Sequence, residues 1–167
     1  TFHTLAGDVP VVLKYLLWGD RWPAIAHHEA HQPESSFAAP DVLLLVMDAT
    51  ALERDLELAL ELAQFGKPMV IALNRMDEAR SKRLFINVRA LSEKLGVPVV
   101  PTVAHMGIGL ADLFSTVVRS AREKRAPTPQ PPSPYIAGHL APIAEIAGQA
   151  DVATAFVMPT TFLALQL

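Results

Sequence analysis

The chain has 167 residues, 51% of them apolar and 19% charged, with a formal net charge of −3 and no cysteine. That is enough apolar material for a core and too little charge for a disordered chain. A slightly acidic chain without a long basic run lacks the electrostatic basis for binding nucleic acid, and without cysteine it has no disulfide, thiolate metal site or thiol nucleophile.

Residues 1–39 read as irregular. Val11 to Trp18 is an apolar run too short for periodicity to separate strand from helix. Within the following loop, His27-His28-Glu29-Ala30-His31 is one residue short of the zinc-protease spacing His-Glu-x-x-His. It reads as a set of solvated histidines, and no metal ligand is assigned.

From Pro40 the pattern sharpens. Val42 to Met47 is a continuous apolar run ending at Asp48, as expected of a strand buried on both faces in a parallel sheet. Thr50-Ala51-Leu52-Glu53 has the form of a capping box, starting a helix that runs to about Phe65. Leu52, Leu56, Leu60 and Ala63 recur at helical spacing, so its leucines are expected in the core. Gly66 stands where a left-handed C-cap belongs. Pro68 to Leu73 is a second buried strand, and Asn74-Arg75-Met76-Asp77 follows it directly. Two helical pieces come next. Asn87 caps the second, Leu91 and Leu95 give it an apolar face, and Gly96 ends it. Val97 to Pro101 is a third strand, Gly107 and Gly109 lie in a loop, and a last helix spans about Leu110 to Arg125.

The order β-α-β-α-β-α with short connections predicts an α/β fold, a parallel sheet with flanking helices. Ligands of such sheets sit beyond the carboxyl ends of the strands, which selects the loops at Asp48, at 74–77 and at 102–109. Asp48 ends the first strand, and its place before Ala49-Thr50 in the family pattern that the chain resembles (below) favours a structural role over that of a Mg²⁺ ligand. The expected organisation is an irregular segment 1–39, an α/β core 40–125, a proline-rich linker 126–134 and a partial helical region 135–167. Val152 to Leu167 is apolar but interrupted by Pro159 and shorter than the roughly 20 residues that span a bilayer. It reads as part of a helix pair whose exposed apolar surface would favour self-association. The abrupt start and finish give the chain the look of a piece of something longer.

Asn74-Arg75-Met76-Asp77 carries the chemistry. Guanine presents adjacent donors at N1 and N2, and a carboxylate such as Asp77 accepts both as charge-assisted bonds. Adenine has no such donor pair, so the same carboxylate would reject it. Asn74 can donate and accept at once, holding the loop and touching the base edge. Arg75 supplies a long stem and a guanidinium plane to lie over the base, where the similar Asn-Lys-x-Asp motif of GTP-binding proteins has lysine. The bland alternative is a capped turn with Asp77 favoured by the helix dipole. One strand later comes Pro101-Thr102-Val103-Ala104-His105. This resembles the Ser-Ala-Lys that GTP-binding domains commonly carry there, which implies that Ala104 would offer a backbone N–H to guanine O6 and that Val103 takes the place of the serine.

Three stretches together resemble the ferrous-iron transport protein B (FeoB) family over about 70 residues: Pro40 to Leu56, Gly66 to Ala79, and Leu95 to Thr102 followed by Gly107 and Gly109. The resemblance implies a cytoplasmic G domain that binds GTP or GDP with Mg²⁺, followed by a small helical domain and a membrane region that moves Fe(II). Thr4-Leu5-Ala6-Gly7 takes the place of the second switch, Asp-x-x-Gly, with threonine where the aspartate would help hold Mg²⁺. No Gly-x-x-x-x-Gly-Lys-Ser/Thr phosphate loop occurs in the chain, so no catalytic residue and no Mg²⁺ ligand are assigned. Two readings follow: the guanine-specific half of a GTP-binding domain, or a degenerate domain with a structural or regulatory role and no nucleotide turnover.

Overall fold

The computed structural model describes residues 38–124 continuously, together with 15, 16, 126, 127, 141, 142 and 145. Thr4, Gly7, His27, His28, His31 and the 152–167 segment lie outside the described residues. Of the Val11–Trp18 run only Tyr15 and Leu16 are described, and both are helical. The chain divides into two compact units, Thr1–Pro40 with Gln130–Leu167 and, separately, Asp41–Pro129. Every labelled element below belongs to the second.

These elements are β1 (Leu43–Asp48), α1 (Leu52–Ala63), β2 (Met69–Asn74), α2 (Met76–Ser81), α3 (Val88–Leu95), β3 (Val99–Pro101) and α4 (Leu110–Glu123), with a single 3₁₀ turn at Ala104–Met106. The strands form a parallel sheet in the order β1-β2-β3, flanked by the helices, as the alternating pattern predicted.

β2 is the buried axis of the sheet. Val70, Ile71 and Leu73 have no exposure and Met69 has 1%, and each such side chain stabilises the fold by about 1.5–3 kcal/mol. Leu113 of α4 packs on Val70 and Ala72, with Val42, Val100, Leu110 and Val117 around them. β1 departs from the expected double burial. Leu43 and Met47 are buried, but Leu44 is 40% and Val46 61% exposed. The register pairs Leu44 with Val70 and Val46 with Ala72, so all four share a face. The core cluster around α4 takes in β2 and β3 side chains of that face but neither Leu44 nor Val46.

α1 also corrects the sequence reading. Its N-cap is Ala51, with no side-chain cap bond. The Thr50 hydroxyl turns back instead and donates to Asp48 Oδ1 at 2.8 Å, and the Thr50 amide donates to the same oxygen at 2.7 Å. A charged acceptor outcompetes the neutral capping geometry, so the capping box does not form. The buried residues of α1 are Ala59 and Ala63, while Leu58 and Leu60 are 38% and 40% exposed. Small alanines line the side of the helix that packs close, and Leu60 falls outside it. Asn87 caps α3 as expected, accepting from the Ala90 amide at 3.0 Å, and Gly96 closes it in the left-handed region.

Candidate functional site

Parallel pairing brings the ends of β1, β2 and β3 level, so the loops that follow Asp48, Asn74 and Pro101 gather at one edge. The β2 loop is tied to the β3 loop. Asn74 Oδ1 accepts two hydrogen bonds from the β3 loop, one from the Ala104 amide at 3.0 Å and one from the Thr102 hydroxyl at 3.2 Å. Thr102 is 2% exposed. Its amide donates to Leu73 O at 2.8 Å and its carbonyl accepts from the Met76 amide at 3.3 Å. Thr102 is the residue that sequence reasoning missed. The only available signal was its place directly after the third strand.

The β3 loop is closed on itself. The Val103 and Ile108 amides each donate to the other's carbonyl oxygen, at 3.0 and 3.2 Å, as an isolated antiparallel bridge. Val103 is buried at 6% exposure and holds the loop through its backbone and apolar side chain, where a serine would offer a hydroxyl. Gly109, at φ +79°, starts α4 so close to β3 that a Cβ there would overlap the Pro101 carbonyl oxygen and press on Thr102.

Arg75 adopts the left-handed region at φ +64°, unusual for a side chain other than glycine or asparagine. It turns the chain sharply from β2 into α2 and places Asp77 in the first helical turn. The Asp77 side chain as a whole is 38% exposed, and its Oδ2 lies 3.8 Å from His105 Nε2. Its Oδ1 is buried without a hydrogen-bond partner, the one such side-chain atom among the described residues. A buried carboxylate oxygen left unpaired is costly, and an incoming N–H donor would relieve that cost. The arrangement offers an unspent carboxylate acceptor beside an asparagine locked by its neighbours. Asn74, Arg75, Met76, Asp77, Val103, Ala104 and His105 therefore gather at one place, although the Ala104 N–H is already engaged by Asn74.

Asp48 sits at the rim. Its Oδ2 accepts from Arg75 Nη1 at 2.7 Å, while Oδ1 serves Thr50. The Thr50 amide, first of all, holds the Asp48 carboxyl below the usual aspartate value against the opposing effect of burial, helped by the Thr50 hydroxyl and Arg75. With both oxygens committed, Asp48 has the structural role expected. Among the described residues no group of three or more histidine, aspartate or glutamate side chains could hold a metal ion. No helix among them is long and apolar enough to cross a membrane.

Residues 34–117 match the family model described as Ferrous iron transport protein B. Among curated proteins, a Fe(2+) transport protein A/Fe(2+) transporter FeoB fusion protein of Porphyromonas gingivalis is 48% identical over 79 residues, 47% of this chain and 9% of the relative. The chain spans about a tenth of the length of the curated relatives it matches. Among solved structures, the FeoB G-domain from Methanococcus jannaschii is 29% identical with a TM-score of 0.59, covering 73% of this chain and 66% of that one. An S. thermophilus NFeoB mutant bound to GDP is 28% identical with a TM-score of 0.72, covering 97% of this chain and 54% of that one. The parallel sheet, the loops gathered at its carboxyl edge and a match over half of the chain agree, and this chain belongs to the ferrous iron transport protein B family.

Proposed function

We propose that the 40–125 region is the base-recognising part of a guanine-nucleotide-binding domain from a GTP-dependent ferrous iron transporter, working at the cytoplasmic face of the membrane. In this reading 126–134 is a linker and 135–167 begins a helical domain towards the parent's membrane region. The observation that carries it is the buried, unpartnered Asp77 Oδ1. Asp77 accepts the guanine N1 and N2 donors, Asn74 holds the loop and meets the base edge, and Arg75 covers the ring. Guanine O6 shares the Ala104 N–H with Asn74 Oδ1, with Val103, Met76 and His105 shaping the surrounding loops. The GDP held by the S. thermophilus relative supports the same ligand class here.

Val103, standing where GTP-binding domains commonly carry serine, favours a second reading, a structural or regulatory G-like module without turnover. A fluorescent-GDP titration of the 167-residue chain, competed with GDP and with ADP, separates the two. Competition by GDP alone, reduced by about 1.5–3 kcal/mol in Asp77→Asn, is expected for a working base site. No binding at millimolar nucleotide would leave the second reading.

A further inference from the structure

Arg75 is gripped from two sides. Its Nε and Nη2 donate to the two carboxylate oxygens of Glu78 at 2.8 and 2.5 Å, and its Nη1 donates to Asp48 at 2.7 Å. These bonds engage all three guanidinium nitrogens at the edge of the plane. A guanidinium bonded along its edges keeps both faces available for stacking on an aromatic ring. A free arginine loses rotamer freedom when it stacks, whereas one already held does not lose it again. The left-handed backbone at Arg75 adds a second constraint, since it fixes where the stem leaves the chain.

We propose that Glu78 is a positioning residue for base recognition: with Asp48, it fixes the Arg75 side chain as a rigid platform for the guanine ring. This rests on the guanine reading above and deepens it by naming what orders the platform. The two carboxylates contribute unequally to other tasks. Asp48 also organises Thr50 and the entry to α1, whereas the hydrogen bonds and ion pairs of the Glu78 carboxylate go to Arg75 alone among the described residues. Glu78 is therefore the clean handle. As a mere surface pair three residues apart, with Arg75 and Glu78 46% and 41% exposed, it would contribute little to the fold.

The test is a double-mutant cycle on the 167-residue chain, read by GDP and ADP competition against fluorescent GDP and by thermal unfolding. Glu78→Gln should weaken GDP binding about two- to fivefold and leave ADP and the unfolding midpoint unchanged. Methionine at 75 keeps an unbranched stem and has no guanidinium to be held. In an Arg75→Met background, Glu78→Gln should therefore have no effect on GDP. Equal weakening in both backgrounds would overturn the proposal, as would no weakening in a wild-type chain that prefers GDP to ADP. A wild-type chain with no GDP preference would overturn the guanine reading and this inference together.

Discussion

β1 and β2 lie side by side in register, each six residues long and each ending in a side chain that organises a loop, Asp48 and Asn74. β2 is buried from Met69 to Leu73, while β1 leaves Leu44 and Val46 open on the face that it shares with Val70 and Ala72. A continuous apolar run thus identifies a parallel strand but says nothing about which neighbours cover it. The distinction reaches the site. Asn74, Arg75 and Asp77 hang from the most constrained strand, as the proposed base-recognition loop would require. β1 contributes only Asp48, which acts through Arg75.

The sharpest way to break this comparison is to remove volume from each strand. Ile71→Ala should cost about 2–5 kcal/mol in urea unfolding, because it opens a cavity in a fully buried strand. Val46→Ala should stay within about 0.5 kcal/mol, and comparable costs would mean that β1 is covered in solution. Next in size is the β2 strand end. Asn74→Ala removes the acceptor for the buried Thr102 hydroxyl and for the Ala104 amide, at about 1–3 kcal/mol. Faster hydrogen exchange at the Ala104 amide should accompany it, and unchanged exchange would show that the bond does not order the loop.

The smallest effect belongs to the β1 strand end. The Asp48 carboxyl is held below its ordinary value of 3.8, first by the Thr50 amide. A carboxylate depressed in the folded state contributes stability that is complete above its unfolded value and is lost as pH falls through the folded one. The stability difference between the wild-type chain and Asp48→Asn should therefore be flat from neutral pH to about 5 and shrink below about 4. A difference that decays near neutrality would implicate another group.

Much of the fold was legible because it is written locally. Apolar runs gave the three strands, Asn87 and Gly96 marked the ends of α3, and short connections required a parallel sheet. What was not legible depends on register or on competition between nearby groups. Thr102 meets Asn74 across 28 residues and Arg75 meets Asp48 across 27, and only the pairing of adjacent strands brings either pair together. The capping box at Thr50 failed because a carboxylate two residues upstream is a better partner for the hydroxyl. Leu60 has helical spacing with Leu52 and Leu56 yet faces out, since the approach of α1 is set by Ala59 and Ala63.

Gly109 bears on how sequence variation in this chain should be interpreted. It lies outside the proposed base motif, yet the room it leaves is the room that Pro101 and Thr102 occupy. A bulkier residue there would displace Thr102, then its hydroxyl on Asn74, and so alter the proposed recognition loop from a distance. A substitution found at 109 belongs with those at 74 and 77, although by position it looks like an ordinary change at the start of a helix.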